Sequence, residues 1–176
     1  MNLIINGMFF DLGLKTANYH RTAAVRDAIS DVEDEFSLVL VYEYLDESLV
    51  LLKRKLCWEL DDILYIKPFS DNIQTQEVNI AKLKKIREWS LADFSLYQYF
   101  NKSLWNQIAE QGEDFQHEVA YFKMKNKQLN KDCTGYKQDS VQGLHVIALN
   151  ANVSTVNRYL CEKLLFSELD YLQYFR

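Results

Sequence analysis

The sequence predicts an α/β fold: a strand–helix–strand unit from Phe36 to Lys67, supplying a few parallel strands, followed by a predominantly helical remainder. Two observations carry this expectation. Phe36–Val41 and Ile63–Ile66 are short, almost wholly apolar runs, the pattern of strands covered on both faces. The segment between them is acidic at its start (Asp46, Glu47) and basic at its end (Lys53, Arg54, Lys55), which suits a helix dipole. Leu49, Leu52 and Leu56 form the expected apolar stripe of that helix, and Asp46 is placed to cap it. Pro68 ends the second run.

The other elements follow in chain order. Residues 1–15 read as an irregular lead-in anchored by Phe9, Phe10 and Leu14. Tyr19 to Glu35 predicts a helix, with Val25, Ile29, Val32 and Phe36 at helical spacing. Thr75 is placed to cap a helix from Gln76 to Trp89 carrying Val78, Leu83 and Ile86. Ser90 and Asp93 have capping-box spacing and open an aromatic-rich helix, and a further helix is expected from Asn101 or Ser103 towards Gly112. Glu113 to Leu129 is the longest helical stretch, with lysines at its end. Residues 130–143 read as the least structured part. Leu144 to Leu149 reads as a short strand or extended segment. A helix over Val153–Leu165, capped by Asn152 or Ser154, and a final helical piece from Ser167 to Phe175 complete the chain.

Composition narrows the function classes. The chain has 176 residues, one domain or a large part of one. Apolar residues at 48% and charged residues at 26% argue against disorder, and 14% aromatics supply a substantial core. A formal charge of −5 is not the footprint of a nucleic-acid binder, so no nucleic-acid partner is expected. No apolar run is long enough to span a bilayer, and the first ten residues lack the basic region of a signal peptide. The cysteines Cys57, Cys133 and Cys161 form no CxxC pair and no zinc pattern. Their odd number permits one disulfide and one free thiol, and Cys57, at the apolar end of the central helix, is expected to be buried. Asp61 and Asp62 are adjacent, point in different directions and have no third ligand in view, so no metal is expected. His20, His117 and His145 are isolated and offer no catalytic arrangement.

Four stretches carry a resemblance. EYLDESLVLLKRKLCWELDDILYIK (Glu43 to Lys67) is similar to the EYFDESLVLL…LCW.L.DVLYFK segment of the galactose 3-O-sulfotransferases, the family that includes galactosylceramide sulfotransferase. FFDLGL (Phe9 to Leu14) resembles its FDLG element. WSLADFSLYQYFNKSLW (Trp89 to Trp105) resembles its W…D..LY.HFN.SFW element, and NRYLCEKLLFSELDYLQYF resembles its close. These cover most of the chain in order.

The resemblance implies the C-terminal part of a P-loop-like sulfotransferase fold. It implies transfer of a sulfuryl group from 3′-phosphoadenosine 5′-phosphosulfate to the 3-hydroxyl of galactose in a glycolipid or glycan, without a metal. It also implies a type II Golgi membrane protein whose anchor and main donor-binding motifs lie upstream. The sequence contains no Gly-rich turn followed by Lys and Ser/Thr, so the 176 residues are expected to be a partial sulfotransferase domain, inactive alone. The candidate donor-side residues are Lys67, Ser70 and Asn72, at the carboxyl end of the second expected strand. The Arg of the family's LN.R pattern is missing from PFSDN. Glu43, at the end of the first expected strand, is a candidate for orienting an acceptor hydroxyl or anchoring the turn. An oxidising lumen makes Cys133 and Cys161 the expected disulfide pair. Asn101 and Asn152 begin N-x-S sequons and are candidate glycosylation sites. Two alternatives stand beside this reading: a uronic acid 2-O-sulfotransferase relative, and a non-catalytic module lacking the donor site.

Overall fold

Val25, Ile29 and Val32 repeat at helical spacing, as do Ala92, Leu96 and Phe100, and the two rows close on one another in a single buried cluster. The computed structural model describes residues 5–67, 79–138 and 145–175. The chain divides into two units: Met1–Leu52 with Thr75–Phe115, and Lys53–Gln74 with Gln116–Arg176.

In the first unit the cluster joins helix α2 (Thr22–Glu35) to helix α5 (Leu91–Ala109), with Phe9 and Tyr19 completing it. Helix α5 is continuous where the sequence suggests two helices. Buried Leu104 and Ile108 extend the Ala92–Leu96–Phe100 row in steps of four, so one apolar stripe carries the helix past Asn101 and Ser103.

The lead-in forms a short helix, α1 (Gly7–Asp11). Gly13, at φ 84°, ends it: its N–H donates to the Phe10 carbonyl at 3.1 Å, and the Leu14 N–H donates to the Phe9 carbonyl at 2.9 Å. This is a Schellman closure, which places its glycine in the left-handed region.

Helix α3 (Leu45–Leu56) follows a 3-10 turn at Tyr42–Tyr44, and its last turn belongs to the second unit. It buries Ser48, Val50 and Leu51 rather than the Leu49–Leu52–Leu56 stripe, and Leu56 is 47% exposed. Asp46 lies in the first turn rather than at the cap, where its charge still favours the positive end of the dipole. Helix α4 (Ile80–Trp89) is capped by Asn79, whose side chain accepts the Ala81 N–H at 2.8 Å; Thr75, Gln76 and Val78 lie outside the described residues.

The expected parallel strands do not pair among the described residues. Phe36–Val41, bent at Ser37, and Leu64–Lys67 form no strand, and side chains meet the backbone at Val41, Tyr65 and Lys67. Buried Ser48 accepts the Val41 N–H at 3.2 Å, and two asparagines hold the second segment. An apolar run becomes a strand only where another strand supplies its ladder.

The second unit centres on helix α6 (Asp114–Cys133), whose Val119, Phe122 and Leu129 are buried. Two strands follow, β1 (Thr134–Gln138) and β2 (His145–Leu149), paired antiparallel with Thr134 opposite Leu149 and Tyr136 opposite Ile147. The pairing is therefore antiparallel and lies partly in the stretch read as least structured. Helices α7 (Thr155–Leu164) and α8 (Glu168–Tyr174) start at Ser154 and Ser167; the Ser167–Asp170 pair forms a capping box. A disulfide joins Cys133, at the end of α6, to Cys161 in α7; their Cα atoms are 5.1 Å apart and both residues are fully buried.

Candidate functional site

The donor-side candidates begin at Lys67, and the structure shows what fixes the chain there. Asn126 and Asn130 stand one turn apart on α6. Asn126 Oδ1 accepts the Tyr65 N–H at 3.0 Å and Asn130 Oδ1 accepts the Lys67 N–H at 3.0 Å. Asn130 Nδ2 donates to the Tyr65 carbonyl at 2.9 Å. The two amides thus reproduce the alternating pattern of a strand ladder and hold Leu64–Lys67 extended. The Lys67 side chain is left exposed. Ser70 and Asn72 lie outside the described residues.

A second constellation lies in the same unit. Glu118 accepts from Lys53 Nζ at 2.6 Å and from Arg54 Nε at 2.7 Å, with all three side chains mostly buried. Burial alone would raise the Glu118 carboxyl, but the two cation hydrogen bonds overcome it and hold the pKa below the usual value. Asp61 pairs with Lys125, and Asp62 accepts the Glu59 N–H at 2.8 Å. Among the described residues no group of three or more metal-ligating side chains converges.

Glu43 belongs to the first unit. It is exposed in the 3-10 turn before α3, and burial first and the Glu43 charge second raise the Tyr97 hydroxyl above its ordinary pKa. Cys57, expected to be buried, is an exposed free thiol. It occupies the left-handed position (φ 54°) that closes α3, and there a side chain points to solvent. The Cys57 N–H donates to the Arg54 carbonyl at 3.4 Å, and the Trp58 N–H donates to the Lys53 carbonyl at 3.0 Å. His20 and His117 are exposed, each in a different unit. Asn101 lies within α5 with its carbonyl oxygen buried and unpartnered, whereas Asn152 is exposed in the turn before α7.

The stretches singled out by resemblance touch one another within the first unit. Asp93, expected as the capping-box partner of Ser90, instead accepts the Met8 N–H at 3.1 Å and the Phe9 N–H at 2.9 Å, the free donors at the start of α1. Asn6 answers by accepting the Asp93 N–H at 3.1 Å and donating to the Trp89 carbonyl at 3.2 Å. Tyr44 of the EYLDES stretch meets Trp105 edge-on, with ring centroids 4.9 Å apart. These stretches therefore hold the fold together.

The sequence model of the galactose-3-O-sulfotransferase family matches residues 2–146. The chain belongs to that family. Mouse galactosylceramide sulfotransferase is 32% identical over 95% of the chain, and the human protein of that name is 33% identical over the same share. Human galactose-3-O-sulfotransferase 2 is 36% identical over 73%. The chain spans 44% of the length of the first two relatives and 33% of the third. No solved structure matches it.

Sequence reading missed Asn126, Asn130, Ser48 and Glu118. A signal for the asparagines was present: two poor helix formers four residues apart, on the face of α6 that also carries Phe122 and Leu129, mark side chains with partners off the helix.

Proposed function

We propose that this chain is part of a galactose 3-O-sulfotransferase acting on a galactose-bearing glycolipid or glycan. The observation that carries the reading is the family match across residues 2–146. The donor, 3′-phosphoadenosine 5′-phosphosulfate, supplies the activated sulfuryl group. A base takes the proton from the galactose 3-hydroxyl, its oxygen bonds to sulfur, and the bond from sulfur to the 5′-phosphate oxygen breaks. The products are the sulfate ester and 3′-phosphoadenosine 5′-phosphate.

On this reading the chain contributes scaffold and one edge of the donor site. Lys67 offers an ammonium to a phosphate or sulfate oxygen, and Asn126 and Asn130 fix the backbone from which it projects. Ser70 and Asn72 follow as further donor-side candidates. Glu43 orients the acceptor or anchors the turn before α3. The buried Cys133–Cys161 disulfide favours an oxidising compartment, the lumen of the Golgi in a type II membrane protein, with Asn152 as its exposed glycosylation site.

The absence of a Gly-rich turn followed by Lys and Ser/Thr from these 176 residues favours a second reading, a module that does not bind the donor. Titration of 3′-phosphoadenosine 5′-phosphate into the chain tests the donor-side edge. Binding that weakens in Lys67→Ala supports the donor-side edge; binding left unchanged by Lys67→Ala overturns that role for Lys67. Transfer is tested by incubating the full-length protein that contains this chain with the donor and galactosylceramide, the sulfated position being read by NMR. Sulfation at another galactose hydroxyl overturns the 3-O assignment.

A further inference from the structure

A groove of about 940 Å³ runs along α6 in the second unit, closed by Asp61 and Leu64 on one side and by Asn157 and Leu160 of α7 on the other. Its size suits one small-molecule or single-lipid ligand. Its lining is mixed in a particular way. Leu64 is buried, while Tyr121 and Met124 on the same wall are 51% and 61% exposed, more than an apolar wall in water favours. Lys127 and Lys131 are exposed beside them and carry no ion pair among the described residues. Asp61 is taken by Lys125, and Asp132 accepts Gln128 Nε2 at 2.8 Å. Three lysines against two aspartates leave this lining positive, in a chain of formal charge −5.

We infer that this groove binds an amphiphilic lipid with an anionic headgroup, its tail against Leu64, Met124 and Leu160 and its headgroup at Lys127 and Lys131. Lysine and tyrosine side chains suit that boundary, because each has an apolar body and a polar tip. The lysines act as point charges and accept a sulfate or a phosphate headgroup alike. The inference uses none of the residues of the transferase reading; the sulfated galactosyl lipid is the product of that reaction, and the phosphatidylserine arm is independent of it.

Vesicle flotation of the 176-residue chain tests it, with phosphatidylcholine alone, with added phosphatidylserine, and with added sulfated galactosyl lipid. Binding to either anionic vesicle and not to phosphatidylcholine alone is the expected result, and the two anionic arms show which headgroup is taken. The double variant Lys127→Gln/Lys131→Gln weakens binding about 30-fold. Met124→Glu abolishes it, and Lys102→Gln, a single charge loss in the first unit, leaves it unchanged. Circular dichroism and intact-mass detection of the disulfide check that each variant folds. Equal binding to all vesicles, or none to the anionic ones, overturns the inference, as does a double variant that binds normally. If an acidic amphipathic peptide binds and the vesicles do not, the groove is a protein-docking surface and the inference fails. Flotation uses no sulfuryl donor, so a negative result leaves the transferase reading standing.

Discussion

Asn130 accepts the Lys67 backbone N–H at 3.0 Å and donates to the Tyr65 carbonyl at 2.9 Å, so one side chain holds the backbone at both Tyr65 and Lys67. Asn130→Ala frees the Lys67 amide, while the Tyr65 amide keeps its bond to Asn126. Hydrogen exchange should therefore quicken at Lys67 and stay slow at Tyr65. Denaturant unfolding should show a loss of about 1–3 kcal/mol. Equal acceleration at both amides would mean that the two asparagines act only as a pair.

Glu118 makes the second unit pH-sensitive. Its folded pKa lies below the ordinary value, held there by Lys53 and Arg54 against the opposing effect of burial. Such a group contributes stability above its unfolded pKa, and that contribution fades as pH falls through the folded one. Stability should fall as pH drops from the ordinary carboxylate range to below it. Glu118→Gln should remove that part of the profile and cost about 1–3 kcal/mol at neutral pH. Urea midpoints measured for both proteins across this range check it.

Much of the helical framework was legible because helix signals are local. Val25, Ile29 and Val32 mark the buried face of α2, and Ser154 and Ser167 cap the last two helices, all through contacts within a few residues. The parallel strands were misread for a physical reason. An apolar run reads the same whether its backbone meets another strand or the side chains of Ser48, Asn126 and Asn130. Asp93 shows the same limit. Its spacing from Ser90 fits a local cap, yet its oxygens reach the start of α1, 84 and 85 residues away. Of the candidate site, Lys67 and Glu43 are candidates by their places in the matched stretches alone, and the groups that fix the backbone at Tyr65 and Lys67 lie some sixty residues further along the chain.

Cys57 holds a left-handed backbone conformation (φ 54°) at the end of α3 without being glycine. For an L-residue with a Cβ that conformation costs about 1–2 kcal/mol, partly offset by the chain freedom glycine loses on folding, about 0.5–1 kcal/mol. Cys57→Gly should therefore stabilise the protein by about 0.5–1 kcal/mol and raise its melting temperature by about 1–4 °C. The thiol is exposed, so no packing is lost. A lower melting temperature would show that the cysteine side chain makes a contact that outweighs the backbone strain.

The Cys133–Cys161 bond closes a loop of sequence separation 28 between the end of α6 and the middle of α7. On loop entropy alone it should contribute about 3–4 kcal/mol. Both cysteines are fully buried, so mild reductant should leave the bond intact in the folded chain and cleave it once denaturant opens the second unit. Cys133→Ala/Cys161→Ala should lower stability by about that amount. Peptide mapping without reductant should find the bond in protein produced in an oxidising compartment, with Cys57 alkylated at once. Rapid cleavage by mild reductant in the native chain would place the bond at the surface and remove the main support for a lumenal setting.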